Sequence, residues 1–271
     1  MAILELETMH VEINGALGRL RFNRPEALNA ANQTWVQDLL KATDYLAQHE
    51  QARVIIVSGE GRAFCSGLDV KELAEGRLTR PWFENWEHGV IRLIHLSAIT
   101  IAAIQGYCLG GGLQIALACD LRIAATDAVL SIPAVREGVI AALGPMRLAR
   151  LIGESQAKQL CLLGRRFSAQ EGLTLGLLTE VTTPERLNEH ALALAEELLA
   201  LPFIALLHTK RQIDHAFTQD NETLLAEMLA RQEECLRSPE HAAVMESYRE
   251  QQRQRAERKH KEASDEEGIH P

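Results

Sequence analysis

Two glycine-bearing turns hold the residues of this chain most suited to chemistry. The first reads Gly61-Arg62-Ala63-Phe64-Cys65-Ser66-Gly67-Leu68-Asp69-Val70-Lys71, and the second Gln105-Gly106-Tyr107-Cys108-Leu109-Gly110-Gly111-Gly112-Leu113. Three glycines at the head of an apolar helix let another group approach the backbone closely. They also leave the first-turn N–H groups without intrahelical acceptors. Donors so placed hold negative charge developing on an oxygen, and the helix dipole adds to the effect. Each turn would give one N–H to a shared oxyanion, although tight packing of helix on strand explains a glycine cluster as well. Cys65 and Ser66 are nucleophile types beside this hole. No histidine or acid can be placed near them from the sequence, so a packing or backbone role is favoured. Tyr107 and Cys108 read as packing residues.

Buried strands must position these turns. Val54–Val57, Ile99–Ile104 and Leu121–Ala124 are short, β-branched apolar runs, the first two leading directly into the glycine turns. Gly111–Cys119 suits a buried helix, and residues 3–13 and 17–22 suit a hairpin around Asn14-Gly15. Strand, helix and strand recurring at short intervals predict a layered α/β fold. From Pro184 the pattern turns helical, with helices expected over 186–201, 203–217, 222–236 and from Pro239 to about Arg253, a four-helix appendage. The resulting division is a core over 1–200, a helical region over 201–255 and a flexible charged tail over 256–271. The basic run from Arg253 to Lys261 reads as a solvated helix end, with a phosphate- or RNA-contacting tail as the sharper alternative.

Composition narrows the function classes. Apolar residues make up 46% of 271, ample for a core, with no membrane-length apolar stretch, and the N-terminus resembles neither a secretory signal nor a transit peptide. A cytoplasmic protein is expected. The five cysteines form no CxxC pair and the ten histidines no HxxxH or HExxH, so reduced thiols and no metal site are expected. The net charge of −9 speaks against a general nucleic-acid binder. A few local Lys or Arg side chains still suffice for a phosphorylated ligand.

Several motifs occur in a telling order: Asn23-Arg24-Pro25-Glu26-Ala27-Leu28-Asn29-Ala30, the Ala63-to-Lys71 turn, Ile101-Ala102-Ala103-Ile104-Gln105-Gly106 leading into Gly110-Gly111-Gly112, Ala118-Cys119-Asp120-Leu121-Arg122-Ile123-Ala124, and Gly164-Arg165-Arg166-Phe167-Ser168-Ala169. In this order they resemble the signatures of the crotonase (enoyl-CoA hydratase/isomerase) family. The resemblance implies a spiral of β-β-α turns with a C-terminal helical region that builds homotrimers, often paired into hexamers. It implies an acyl-CoA thioester substrate, with coenzyme A part of the substrate and no separate cofactor. By similarity, the N–H groups of Leu68 and Gly111 form the oxyanion hole. Ala63, Leu68, Asp69, Val70 and Lys71 then line the acyl-CoA, and Arg24, Ala27 and Leu28 lie near the nucleotide end. Asp69 by the same similarity shapes the binding turn through a structural carboxylate. Glu26 departs from the basic residue frequent there. Trp82, Phe83 and Trp86 fall in the segment that borders the acyl pocket in the family, where they either shape that pocket or pack the core.

Family hydratases carry two glutamates that share a water, and this chain has neither. Gln114 stands at the first position and Ala134 at the second. Gln114 can hydrogen-bond a water but cannot take its proton. Glu137 lies three residues past Ala134 and shares its face if the segment makes a helical turn. It would then act as a displaced acid/base, the alternative being a surface glutamate paired with Arg136 or Arg147. Hydration of a 2-enoyl-CoA, with branched or functionalised acyl chains among the candidates, is the expected lyase reaction. An isomerase or decarboxylase on the same scaffold and a non-catalytic acyl-CoA binder are the alternatives.

Overall fold

The structure, a computed structural model, describes residues 1–267, with side chains through Ala256. The chain divides into two compact units, the first Met1–Ala200 and the second beginning at Leu201.

The first unit opens with three antiparallel strands, β1 (Ala2–Glu5), β2 (Met9–Asn14) and β3 (Leu17–Phe22). The expected turn at Asn14-Gly15 is present, with Gly15 at φ +59°. The expected single strand over 3–13 is instead two. The buried Asp38 carboxylate accepts from both the N–H and the hydroxyl of Thr8, each at 3.0 Å, and Leu6 N–H closes a turn onto Met9 O at 2.9 Å. A side-chain contact 30 residues away thus breaks the strand, which local pattern does not reveal.

After α1 (Gln33–Ala47), capped by the Asn32 side chain, the chain makes the same step three times. A buried strand joins a large sheet, a short strand joins a second sheet, and a helical segment follows. The steps are β4 (Val54–Gly59), β5 (Ala63–Cys65), α2 (Val70–Ala74) and α3 (Arg80–Ile94); β6 (Ile99–Ile104), β7 (Tyr107–Leu109) and α4 (Gly111–Ala118); then β8 (Leu121–Ala125), β9 (Val129–Ser131), a 3-10 turn at Ala134–Glu137, α5 (Gly144–Ile152) and α6 (Glu154–Leu163). Then come β10 (Phe167–Ser168), α7 (Ala169–Thr174), β11 (Glu180–Thr182) and α8 (Leu187–Leu199). The large sheet runs β1-β2-β3-β4-β6-β8-β11, parallel from β3 onward, and the small one β10-β9-β7-β5. This is the expected spiral. β4 and β6 are buried along nearly their whole length because parallel strands are covered on both faces, hence their unbroken apolar runs.

The second unit holds α9 (Phe203–His215), α10 (Asn221–Arg237) and α11 (Pro239–Glu267). His208 pairs with Glu234 at 2.8 Å and His215 with Glu227 at 3.1 Å, which fixes α9 and α10 antiparallel. The four-helix appendage is corrected to three. α8 belongs to the first unit, where Leu187, Ala191 and Ala195 are buried and the helix packs against β4, β6 and β8. α11 runs past the expected end near Arg253, since 240–267 contains no Pro or Gly and is rich in strong helix formers. The flexible-tail expectation for 256–271 lies partly outside the described residues, and within them it meets this helix. Among the described residues no single helix is long and apolar enough to cross a membrane.

Candidate active site

The two glycine turns abut. A Cβ built on Gly67 would lie 2.8 Å from Leu109 O and 3.2 Å from Gly111 N, and one on Gly112 would lie 2.0 Å from Cys65 O. Only hydrogen fits at either position, so the glycines exist for this approach. Leu68 forms an isolated parallel bridge with Ala31. Its neighbours make the bonds, Ala31 N–H to Gly67 O at 2.7 Å and Asp69 N–H to Ala31 O at 3.0 Å. Such pairing turns the N–H of Leu68 itself away from Ala31. Gly111 is the first residue of α4, whose earliest intrahelical bond is Gln114 N–H to Gly110 O at 3.1 Å, so the Gly111 N–H has no helical acceptor. Neither N–H has a partner among the described residues.

Both residues line a cavity of about 20 Å³, room for one water molecule. Gln114 enters it from α4. The side chain is buried, and its Oε1 has no hydrogen-bond partner among the described residues. Gly144 makes that position possible, since a Cβ there would meet Gln114 Cγ at 2.6 Å. Ala134 and Glu137 line the cavity together. They begin and end the 3-10 turn, in which residues three apart eclipse. Glu137 is an exposed residue, and partial desolvation raises its carboxyl pKa from the ordinary value. The two arginines expected as its surface partners bond to other groups. Arg147 pairs with Glu87 at 2.6 Å, and Arg136 donates to the carbonyls of Leu163 and Gly164 at 2.8 and 2.9 Å. Trp82, Phe83 and Trp86 form the remaining wall. Trp82 and Trp86 stack at 5.5 Å and Trp86 and Trp35 at 5.4 Å, so these rings serve core and site at once.

A groove of about 860 Å³ adjoins this cavity, lined by the expected Ala27, Leu68, Asp69, Val70 and Lys71. It is also lined by Arg136, Arg165 and Arg166. The last two stood in a recognised motif without an assigned role, because a basic pair after a helix gives no local sign of facing a ligand. Lys71 and Arg166 have no ion-pair partner among the described residues, while Arg165 meets Glu171 at 3.1 Å. A chain acidic overall thus presents cations at this groove, and an anionic group fits there.

Asp69 caps α2, accepting from Lys71 and Glu72 N–H at 3.1 and 3.3 Å. Desolvation raises its pKa, but the Arg24 hydrogen bond, the two backbone bonds and the Arg24 charge together hold it below its ordinary value. Three residues expected near the ligand lie outside the groove lining and bond to the turns around it. Arg24 does not line the groove, because its guanidinium braces the turn behind it, donating to Asp69 at 2.7 Å and to Ala30 O at 3.0 Å. Leu28 is absent from the lining as well. It sits in the left-handed region at φ 54° and contributes its carbonyl to Ser66 N–H at 3.0 Å. Ala63 is fully buried in β5, with its carbonyl bonded to Asn29 at 2.9 Å. Asn29, whose amide also reaches Glu60 O and Phe64 O, is the unassigned residue that ties these turns together. Cys65 is fully buried, and burial pushes its thiol up to about 12, which disfavours the thiolate a nucleophile needs. Among the described residues no group of His, Cys, Asp or Glu is arranged to hold a metal ion.

Known proteins share this fold. A probable enoyl-CoA hydratase of Rhizobium meliloti is 33% identical over 83% of this chain and 87% of its own length. The crystal structure of an enoyl-CoA hydratase subunit from Geobacillus kaustophilus superposes with a TM-score of 0.83 at 32% identity, covering 92% of this chain and 97% of that one. A Thermobifida fusca structure described as a putative enoyl-CoA hydratase in complex with acetoacetyl-CoA superposes at 0.77, with 27% identity over 84% of this chain and 94% of that one. The sequence model described as Enoyl-CoA hydratase/isomerase matches residues 12–259, and the chain belongs to that family of enzymes, the crotonases.

Proposed function

We propose that the chain is an enoyl-CoA hydratase-type lyase that works through a thioester enolate with Glu137 as its single acid/base. One observation carries the reading. Two unpartnered backbone N–H groups border a one-water cavity in which Glu137 is the only ionisable side chain among the described residues. The CoA moiety lies in the cationic groove, and the thioester carbonyl accepts from Leu68 and Gly111. The ligand described for the Thermobifida fusca relative supports an acyl-CoA substrate. Each N–H stabilises the enolate oxygen by about 3 kcal/mol, as deletion of such donors shows elsewhere. Gln114 Oε1 orients the water, Glu137 takes its proton as the hydroxyl adds to C3, and the same proton returns to C2. The reading needs no cofactor beyond the CoA of the substrate. It includes a cytoplasmic enzyme assembled as a homotrimer or dimer of trimers. Exposed Ile213, Phe217, Leu225 and Leu229 of the C-terminal helices support the assembly.

The test is loss of enoyl-thioester absorbance over a panel of straight and branched 2-enoyl-CoAs. Wild type should consume at least one, and Glu137→Gln should be slower by about 10²-fold or more. A wild type silent on every 2-enoyl-CoA sinks hydration. Gain of absorbance from 3-enoyl-CoAs alone would mark an isomerase, for which one carboxylate shuttling a proton between two carbons suffices. Equal rates for wild type and variant would make Glu137 a bystander.

A further inference from the structure

Three cavities follow one another in line. The groove shares Ser66, Leu68, Pro133 and Glu137 with the reaction cavity. The reaction cavity shares Ala134, Ile140 and Ala141 with a third cavity of about 430 Å³, a size suited to a small organic group. Groove and third cavity share no residue. The third cavity lies between the 134–141 segment and α5 and α6, with Met146 and Ala149 from one helix and Ala157 and Cys161 from the other. Its lining is apolar except for Glu154 and Lys158, an exposed pair at its rim. Polarity along the line therefore runs from cations through N–H donors to hydrocarbon. An acyl-CoA presents phosphates, thioester and hydrocarbon in the same order.

The stacked Trp82 and Trp86 fill another part of the wall, and Trp86 presses on Gly111, where a Cβ would meet the ring at 2.7 Å. The partition toward the third cavity is thin in side chains, being two alanines and Ile140, which is 79% exposed. The segment carrying Ile140 and Ala141 is bounded by Gly138 at φ +70° and Ala142 at φ +41°. The second value is a strained conformation for alanine, of the kind found in segments that rearrange around ligands.

We infer that the acyl chain of the substrate passes Ala134, Ile140 and Ala141 and lies in this third cavity, so that the enzyme takes chains well beyond four carbons. The inference rests on the acyl-CoA reading above and deepens it. The test is equilibrium binding of saturated acyl-CoAs from butyryl to dodecanoyl, which requires no turnover. Wild-type affinity should climb with chain length, by up to about fourfold per buried methylene. Ala149→Phe should remove most of that gain while butyryl-CoA binding stays within about twofold. Cys161→Phe, from the facing helix, should do the same and guards against a variant that merely misfolds. If CoA and butyryl-CoA bind but affinity is flat with length, or both variants leave the climb intact, the inference falls and the acyl-CoA reading stands. If the variants change only the oligomeric state, the cavity is an interface between copies and the inference falls likewise. If no CoA thioester binds, both fall.

Discussion

Glu137 and Gln114 reach one small cavity from different elements, one from a 3-10 turn and one from a buried helix. In the proposed reaction they divide labour by chemistry, since an amide can hold a water and a carboxylate can take its proton. The raised pKa of Glu137 has a measurable consequence. As base the group must be ionised, so kcat/KM should fall as pH drops through that pKa, with a midpoint raised from the ordinary glutamic-acid value. The acid limb should vanish from the residual activity of Glu137→Gln, and a limb that persists there belongs to another group. At this scale the sequence was partly legible. Glu137 could be suspected from its spacing to Ala134, whereas the missing partner on Gln114 Oε1 exists only where α4 meets the folded cavity wall.

Among the elements, the 138–143 segment borders both the reaction cavity and the apolar cavity beside it. It is held at one end by Glu87, which accepts from Leu143 N–H at 2.8 Å and pairs with the buried Arg147 of α5. Removing the carboxylate frees the segment and strands a buried guanidinium. Glu87→Gln should cost about 3 kcal/mol in denaturant unfolding and raise KM for acyl-CoA. A variant as stable as wild type would show the pair to be dispensable. Glu87 carried no signal in the sequence, because its partner lies 60 residues on. The strands β4, β6 and β8 were legible because parallel burial on both faces demands unbroken apolar runs. The short β5, β7 and β9 were not, since three residues make no period.

For the whole molecule, the C-terminal helices leave Ile213 and Phe217 exposed at 65% and 72%. Burying such side chains against a second copy is worth about 2 kcal/mol each. Phe217→Asp with Ile213→Asp should therefore turn the proposed trimer into smaller species, read by light scattering on a sizing column. An unchanged mass would move the interface elsewhere. The pattern from Pro184 onward showed helices but not their allegiance, and α8 joined the first unit because its buried face meets the sheet.

Sequence alone determined the layered α/β class, the two glycine turns and the ordered motifs whose family resemblance implied the spiral, because each rests on contiguous residues. Backbone N–H groups at a helix start and glycines that admit a neighbouring chain are local properties, written in order along the chain. Tertiary structure alone decided what lines the cavity and the groove. Arg24 and Ala63 turned inward to brace the turns, Arg165 and Arg166 came to the groove, and Trp86 closed one wall. Those outcomes depend on contacts between residues far apart in sequence, where burial and hydrogen bonding settle which way a side chain turns.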